Sequence, residues 1–516
     1  MLSEPIRELV ERVQAAEEAE RVRPQSEGIF EMNKIISKAA SFYEKVRYLI
    51  DYREEHTIRR AALERILKRR VFIEGKRESG EILLQELVDG KYIQKEETSE
   101  ALGKEIDAII TKFLELLRQS GHQNGQVARR LVSFAATEID SRISPLQYAI
   151  DHETAEAFYR TMHGHVSAYG FSEEHTNSQL YCAAWRSLLS ADNDRLAYAL
   201  WLLYVPEWKH GNARLEEVAG KLPAIIAKIK SVIEDSLQWQ LAPKIKNESI
   251  YFRIIREAIL ETPQSAGRVL ESARDLDAFA RGFLEKKYEK ENDRIRQSGV
   301  RAVVYLFITK MTVALIVELP YELFVLGGVH YFPLAVNVLF HPLLLFGLTR
   351  RVGALDEKNT EAIIEGIHRV IYEGAVRSRR VGGGYTRLSL AFGFAYVLLF
   401  FIVFGGLIGA LQLLKFNPVS IILFLFFLAL VSYFAFRIRY QARRWKVVHD
   451  QGALAVLAGV LAVPIVRAGR WLSQTFSSIN VFVLIMDFII ETPFKRLLNF
   501  SNQFLAYLRE KADEMR

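Results

Sequence analysis

The chain of 516 residues has a single cysteine, Cys182. One cysteine excludes an intrachain disulfide and any cysteine-based metal site. Its setting, SQLYCAAWRSLL, reads as a buried helix face on which the thiol acts as a small apolar core residue. The opening MLSEPIRELVERVQAAEEAE lacks an apolar h-region, so no cleavable signal peptide is expected. Alternating strand patterns and self-similarity at a solenoid period are also missing. GKRESGE at Gly75 does not have P-loop spacing. GGG at Gly382–Gly384 follows no strand and is not GxGxxG; it reads as a hinge before an apolar helix. No serine or cysteine nucleophile motif stands out, and no cofactor is expected.

What is present divides in two. The averages, 50% hydrophobic and 25% charged, conceal a polar half from Met1 to about Arg301 and a half with long uncharged runs between Val303 and Phe436. The net charge of +7 is modest for this length, and much of the excess lies beside apolar runs. That placement suits topology signals and anionic lipid head groups, and a nucleic-acid surface is not expected.

The polar half, residues 1–300, carries helical periodicity. In ALGKEIDAIITKFLELLRQSG the apolar residues Leu102, Ile106, Ile109, Ile110, Phe113, Leu114 and Leu117 form a 3.6-residue stripe, with Gly121 where a C-terminal cap belongs. Similar stripes run through Met32–Tyr52, Leu215–Leu237 and Ile250–Leu260. The expectation is an all-α chain: a cytoplasmic helical bundle, with room for coiled-coil segments, followed by a polytopic α-helical membrane domain of about four spans. The bundle's last helix, from Arg268 to Arg301, runs without proline into the first apolar span and reads as a stiff stalk.

Chemical motifs in this half are sparse. DHETAE at Asp151–Glu156 pairs His152 with Glu153 but lacks the second histidine of HExxH. His163, His165 and His175 lie close enough in sequence to join His152 as candidate metal ligands, but histidine spacing alone supports this poorly, and polar turn positions account for them better. The basic run His56–Phe72, with Arg59, Arg60, Arg65, Lys68, Arg69 and Arg70, has Glu55 and Glu64 four residues before Arg59 and Lys68. It reads as a solvated helix face.

In the second half, Leu388–Leu414 is free of charge, and a bilayer core needs about 20 residues of helix. Val419–Phe436 follows after the short link KFNP, forming a hairpin over residues 388–436. An earlier hairpin over 301–348 turns at Gly327–Gly328. The loop 349–387 carries Arg350, Arg351, Arg377, Arg379 and Arg380, and the segment after the last span begins with Arg437, Arg439, Arg443 and Arg444. These arginines are expected at lipid head groups and set the orientation. Both termini and the 349–387 loop would then be cytoplasmic, in a multi-pass protein of the cell inner membrane. The tail 437–516 contains the short apolar runs Gly452–Val466 and Ile479–Phe494, which read as interfacial or re-entrant helices, with a further short hairpin as the competing reading. Gly405 and Gly409 make a GxxxG that allows close helix approach, within the bundle or between copies in a homo-oligomer.

The run ITKMTVALIVELPYELFVLGG places Lys310, Glu318 and Glu322 in the first span, with His341 on the second. Counting from Val303, Lys310 lies about 10 Å in, so its side chain is expected to snorkel back to the near face. Because the residue before a proline tends to leave the α region, the helix is expected to stop at Leu319, leaving both glutamates at the far interface. If it continues past Pro320 instead, Glu318 becomes an intramembrane candidate near the depth of His341.

Three functions follow from these features. The leading one is a membrane-tethered scaffold, assembly or interaction module with a protein partner on its helical domain. The second is a channel or secondary transporter using Lys310, Glu318, Glu322 and His341. The third, a membrane-embedded hydrolase, lacks a complete catalytic constellation.

Overall fold

In the computed structural model of the protein, the described residues are 2–22, 55–69, 80–121, 125–209, 213–350, 357–382, 386–448 and 453–478. The stripe Met32–Tyr52, Gly75, Arg351 and the run Ile479–Phe494 lie outside them. The principal helices of the first part are α1 (Glu4–Arg21), α2 (Glu55–Leu67), α3 (Gly80–Asp89), α4 (Glu100–Gln119), α5 (Gln126–Ile143), α6 (Pro145–Met162), α7 (Glu173–Leu189), α8 (Asn193–Tyr204), α9 (Leu215–Glu234) and α10 (Lys246–Glu261). Then come α11 (Ala273–Val313), α12 (Leu319–Phe324), α13 (Tyr331–Arg350), α14 (Glu357–His368), α15 (Thr386–Leu413), α16 (Pro418–Ala442) and α17 (Ala453–Ser478). Among the described residues the one β pairing is parallel, β1 (Val166–Ala168) with β2 (Arg379–Val381), so Gly382 does follow a short strand, against the sequence reading. The chain is thus helical, and it separates into two units: Met1–Glu285 with Asp356–Gly384, and Lys286–Leu355 with Tyr385–Arg516.

In the first unit α1 lies on α6, α2 and α4 lie on α5, and α10 packs on α6 and α14. Helix α4 illustrates how sequence produces this. The Ser99 hydroxyl accepts the Leu102 N–H at 3.1 Å as N-cap. Leu102, Ile106, Ile109, Phe113 and Leu117 are buried along one face, and Gly121 follows the helix end with φ 68°. The centre is aromatic: Trp185, Trp201, Phe134, Phe158 and Phe252 are fully buried. The Phe134 and Trp201 rings are 5.3 Å apart. Cys182 is buried beside them as a core residue, and burial pushes its thiol up to about 12.

Two expectations change in this unit. The basic run of α2 is not a solvated face: Arg59 Nε donates to Asp140 at 2.5 Å and Arg60 Nη2 to Asp192 at 2.5 Å, from side chains 9% and 6% exposed. Those carboxylates come from α5 and from the N-cap of α8, so spacing within α2 could not reveal them. The second change concerns 357–382, which folds into the first unit. A Cβ on Gly366 would lie 2.1 Å from Tyr251 Cζ, so only glycine lets α14 approach α10 this closely. Ser3 N–H donates to the Ile371 carbonyl at 2.6 Å, and Arg379 N–H to the His165 carbonyl at 2.7 Å.

Five helices among the described residues are long and apolar enough to cross a membrane: within Ala273–Phe324, Tyr331–Leu348, Ala391–Leu413, Pro418–Ile438 and Val456–Thr475. The chain is a membrane protein by that measure. Helix α17, the fifth, runs through Pro464 to Ser478, longer than the short apolar run Gly452–Val466 read from the sequence. It packs along α16, where a Cβ on Gly469 would lie 1.9 Å from the Ala429 carbonyl oxygen.

Candidate intramembrane polar site

The helix does not stop before Pro320. A π-helical turn, Ala314–Glu318, precedes it, and the Leu319 N–H bonds back five residues to the Ala314 carbonyl. Proline has no N–H and its ring crowds the carbonyl four residues back. One extra residue in the turn absorbs both effects, and α12 continues to Phe324. The turn carries Glu318 inward, leaving it 2% exposed.

Lys310 is also 2% exposed, and it does not snorkel. Its Nζ donates to Asn337 Oδ1 at 2.6 Å and sits 4.2 Å from the centre of the Phe427 ring. Asn337 Nδ2 donates to both carboxylate oxygens of Glu318, at 2.8 and 3.0 Å. The Ser420 hydroxyl donates to the same carboxylate. Three helices therefore converge: Lys310 and Glu318 from the first span, Asn337 from α13 and Ser420 from α16. An ammonium only donates and an ionised carboxylate only accepts, so the two charges dictate which way the Asn337 amide points. The pair is charge-neutral as a whole, which lowers the cost of keeping two ionisable groups out of water.

The polar chain continues toward the α12–α13 turn. Ser420 N–H donates to Asn417 Oδ1 at 2.8 Å, and Asn417 Nδ2 donates to Glu322 Oε1 at 2.9 Å. Glu322 Oε2 accepts the backbone N–H of His330 at 2.7 Å. Glu322 is fully buried, which corrects its expected place at an outer surface. The His330 side chain is 52% exposed, so the chain of polar groups ends at an open turn. In the other direction it stops at Lys310. Beyond, toward Ala302 and Val303, Leu306, Leu345, Phe427, Val431 and Ala435 close the space with an apolar cluster.

His341 lies one turn from Asn337 but does not touch Glu318. Its Nδ1 faces the Asn337 carbonyl at 3.2 Å and its Nε2 the Phe424 carbonyl at 2.9 Å. A neutral imidazole has one N–H, so it serves one of these carbonyls; only the doubly protonated ring serves both.

The other candidates disperse. His152 stacks on Tyr148, with ring centres 6.0 Å apart, and His163 meets the Tyr159 ring edge-on. His165 lends its carbonyl to Arg379, and His175 Nε2 lies 3.1 Å from Asp235. Among the described residues no group of three or more His, Cys, Asp or Glu is placed to hold a metal ion. Arg379 pairs with Glu248 at 3.2 Å, while Arg377, Arg380, Arg437 and Arg444 are exposed. Arg350 ends α13, Arg439 lies in α16, and Arg443 begins the short turn after it. Among the described residues, and apart from its own helix, nothing lies within 4 Å of a Cβ added at Gly405 or Gly409, so the GxxxG does not serve packing among the described helices.

The sequence reading missed Asn337, Asn417 and Ser420. Asn337 and His341 are four apart, on one face of an otherwise apolar helix. Asn417 caps α16 through Ser420 N–H with Pro418 at the first position, a cap signature inside what had looked like a mere link, KFNP. No protein-family model, curated protein or solved structure gives a significant match to this chain.

Proposed function

We propose that the chain is a multi-pass membrane transport protein that moves protons, with Glu318 as the proton-carrying group and Lys310 as its internal counter-charge. The observation that carries this is the burial of Lys310 and Glu318 in the first span, joined through Asn337. Ionisable residues inside a membrane are costly and are retained mainly where they act. A proton suits the site better than a metal cation because the Lys310 ammonium already fills the cationic position. The polar chain from His330 to Lys310, stopped by the apolar cluster around Leu306, gives protons access from one face. In proteoliposomes under an imposed pH gradient, the protein should dissipate the gradient, and Glu318→Gln should abolish this. An unchanged rate in Glu318→Gln would sink the proposal.

The orientation rests on two supports. Residues of 356–384 belong to the same folding unit as the N-terminal residues, and one unit cannot lie on two sides of a membrane. The exposed Arg377, Arg380 and Arg437 flank apolar spans, as positive-inside placement requires. The first unit is therefore read as cytoplasmic, in the cell inner membrane, with those arginines toward anionic head groups. We read α17 as a fifth crossing, because Gly469 meets α16 at Ala429, near its middle. On that reading the described residues cross five times, which departs from the four spans read from the sequence.

A second reading keeps the helical unit as a scaffold or interaction module for a protein partner. It draws on the complete pairing of Lys310 and Glu318, which a purely structural lock between three helices also requires. A partner that co-purifies with wild-type protein and with Glu318→Gln alike, without proton flux in either, would favour it.

A further inference from the structure

Helix α17 carries two arginines where a crossing helix least tolerates them. Arg467 and Arg470 flank Gly469, whose close approach to the Ala429 carbonyl sets their depth. Ala429 stands near the middle of the apolar span Pro418–Ile438. A rise of 1.5 Å per residue keeps both arginines within about 3 Å of that level along the axis. A bilayer core extends about 15 Å to either side of its centre, so a side chain there falls short of both surfaces.

Both arginines are exposed. Arg467 lies over the Tyr396 ring of α15, 4.8 Å from its centre. Among the described residues neither arginine pairs with a carboxylate. They continue an exposed stripe that runs through Val456, Val460 and Val463 at helical spacing. One face of α17 therefore stands open, apolar over its first half and doubly cationic over its second. Unpaired charge at that depth is costly.

The chain supplies a matching face. INVFVLIMDFIIETPF, Ile479–Phe494, follows Ser478 directly and lies outside the described residues. Its only charges are Asp487 and Glu491, four apart and so on one side of a helix. Take an antiparallel return that turns at Ser478–Ile479. Arg470 is then eight residues before the turn and Asp487 eight after it, while Arg467 is eleven before and Glu491 twelve after. Both pairs come into register at once. The run ends at Lys495 and Arg496, which positive-inside placement assigns to the same side as Arg437.

We propose that Ile479–Phe494 packs antiparallel on the open face of α17 as the second arm of a membrane hairpin, with Asp487 and Glu491 neutralising Arg470 and Arg467. Arginine forks bind carboxylates through paired, charge-assisted hydrogen bonds, and a neutral pair lowers the cost of keeping both groups out of water. Acyl chains offer no counter-charge at that depth, and a second copy of the same face would set arginine against arginine. The inference rests on α17 as a crossing and stands whether or not the chain moves protons.

The test uses the full-length chain in native membranes with Cys182→Ser as background. Gln474→Cys and Val483→Cys lie one turn from the Arg470–Asp487 pair, toward the hairpin turn. Together they should form a disulfide within one chain under copper–phenanthroline, read as a linked peptide by mass spectrometry. Ile485→Cys, on the other side of the run, should not link to Gln474→Cys. Arg470→Asp and Asp487→Arg should each lower the melting temperature in detergent, and the exchanged double variant should recover most of that loss. Absence of the 474–483 link, a link between chains in its place, or an exchanged variant no more stable than the single ones overturns the proposal. If Ser478→Cys labels from outside while no link forms, this inference alone falls; if it does not label, the reading of α17 as a crossing falls with it.

Discussion

Asn337 donates to both carboxylate oxygens of Glu318, at 2.8 and 3.0 Å, while its own oxygen takes the Lys310 ammonium. Lys310 and Glu318 stand about 12 Å apart along their helix axis, too far for direct contact in a straight helix. The neighbouring helix closes that gap with one amide, so the ion pair exists only when the two helices are packed.

This coupling has a thermodynamic signature. Lys310→Met or Glu318→Gln alone leaves a buried charge without its counterpart and should cost about 3 kcal/mol. The double substitution should be less destabilised than either single one. Unfolding in mixed detergent, followed by circular dichroism, measures all three; additive losses would show that the two residues are not coupled.

Asp151 is expected to make the first unit sensitive to acid. Burial alone would raise its carboxyl, but Arg195 and Arg256 hold it below the usual carboxylate range. Since the folded value is depressed, its contribution to stability is present above the unfolded value of about 3.9 and is lost as pH falls through the folded value. Asp151→Asn should lower the melting temperature at neutral pH and flatten its decline in acid. Thermal melts across that range check both, and a wild-type-like acid slope in the variant would contradict the assignment.

Cys182 is a built-in reporter of the same unit. Fully buried, with its thiol pushed up to about 12, it should not react with maleimide at neutral pH until the unit opens. Mass spectrometry across a urea titration should show labelling rise together with loss of helical signal. Rapid labelling of the native protein would contradict the packing around Trp185 and Tyr181.

The number of crossings is open to a direct assay. Cys182→Ser carrying a cysteine at Ser478, treated in intact cells with a membrane-impermeant maleimide, should label from outside if α17 crosses as a fifth span. Labelling only after lysis would restore the four-span reading.

Periodicity made α4 legible from cap to cap, and length with charge made the apolar helices legible. The site was half legible. Lys310, Glu318, Glu322 and His341 stand out as polar residues in apolar runs, but their partners do not. Asn337 and Ser420 are common residue types whose meaning depends on which helix faces which, and that is long-range information. The fate of Pro320 was a local matter with two allowed answers. Proline's steric bias favours a stop, and the π turn escapes it at the expense of one irregular turn that packing against α13 supports. The arginines of α2 follow the same rule: Glu55 and Glu64 were visible by spacing, whereas Asp140 and Asp192 became visible only once the helices were packed.

Glu318 is proposed to carry a proton within the membrane rather than to serve as a permanently ionised strut. A membrane-permeant carbodiimide reacts with a protonated carboxyl in apolar surroundings and spares an ionised, paired one. Peptide mapping after treatment of intact membranes should find the adduct on Glu318, with proton flux lost in proportion to labelling. Glu318 left unmodified at every pH at which the protein stays folded would contradict a proton-carrying role.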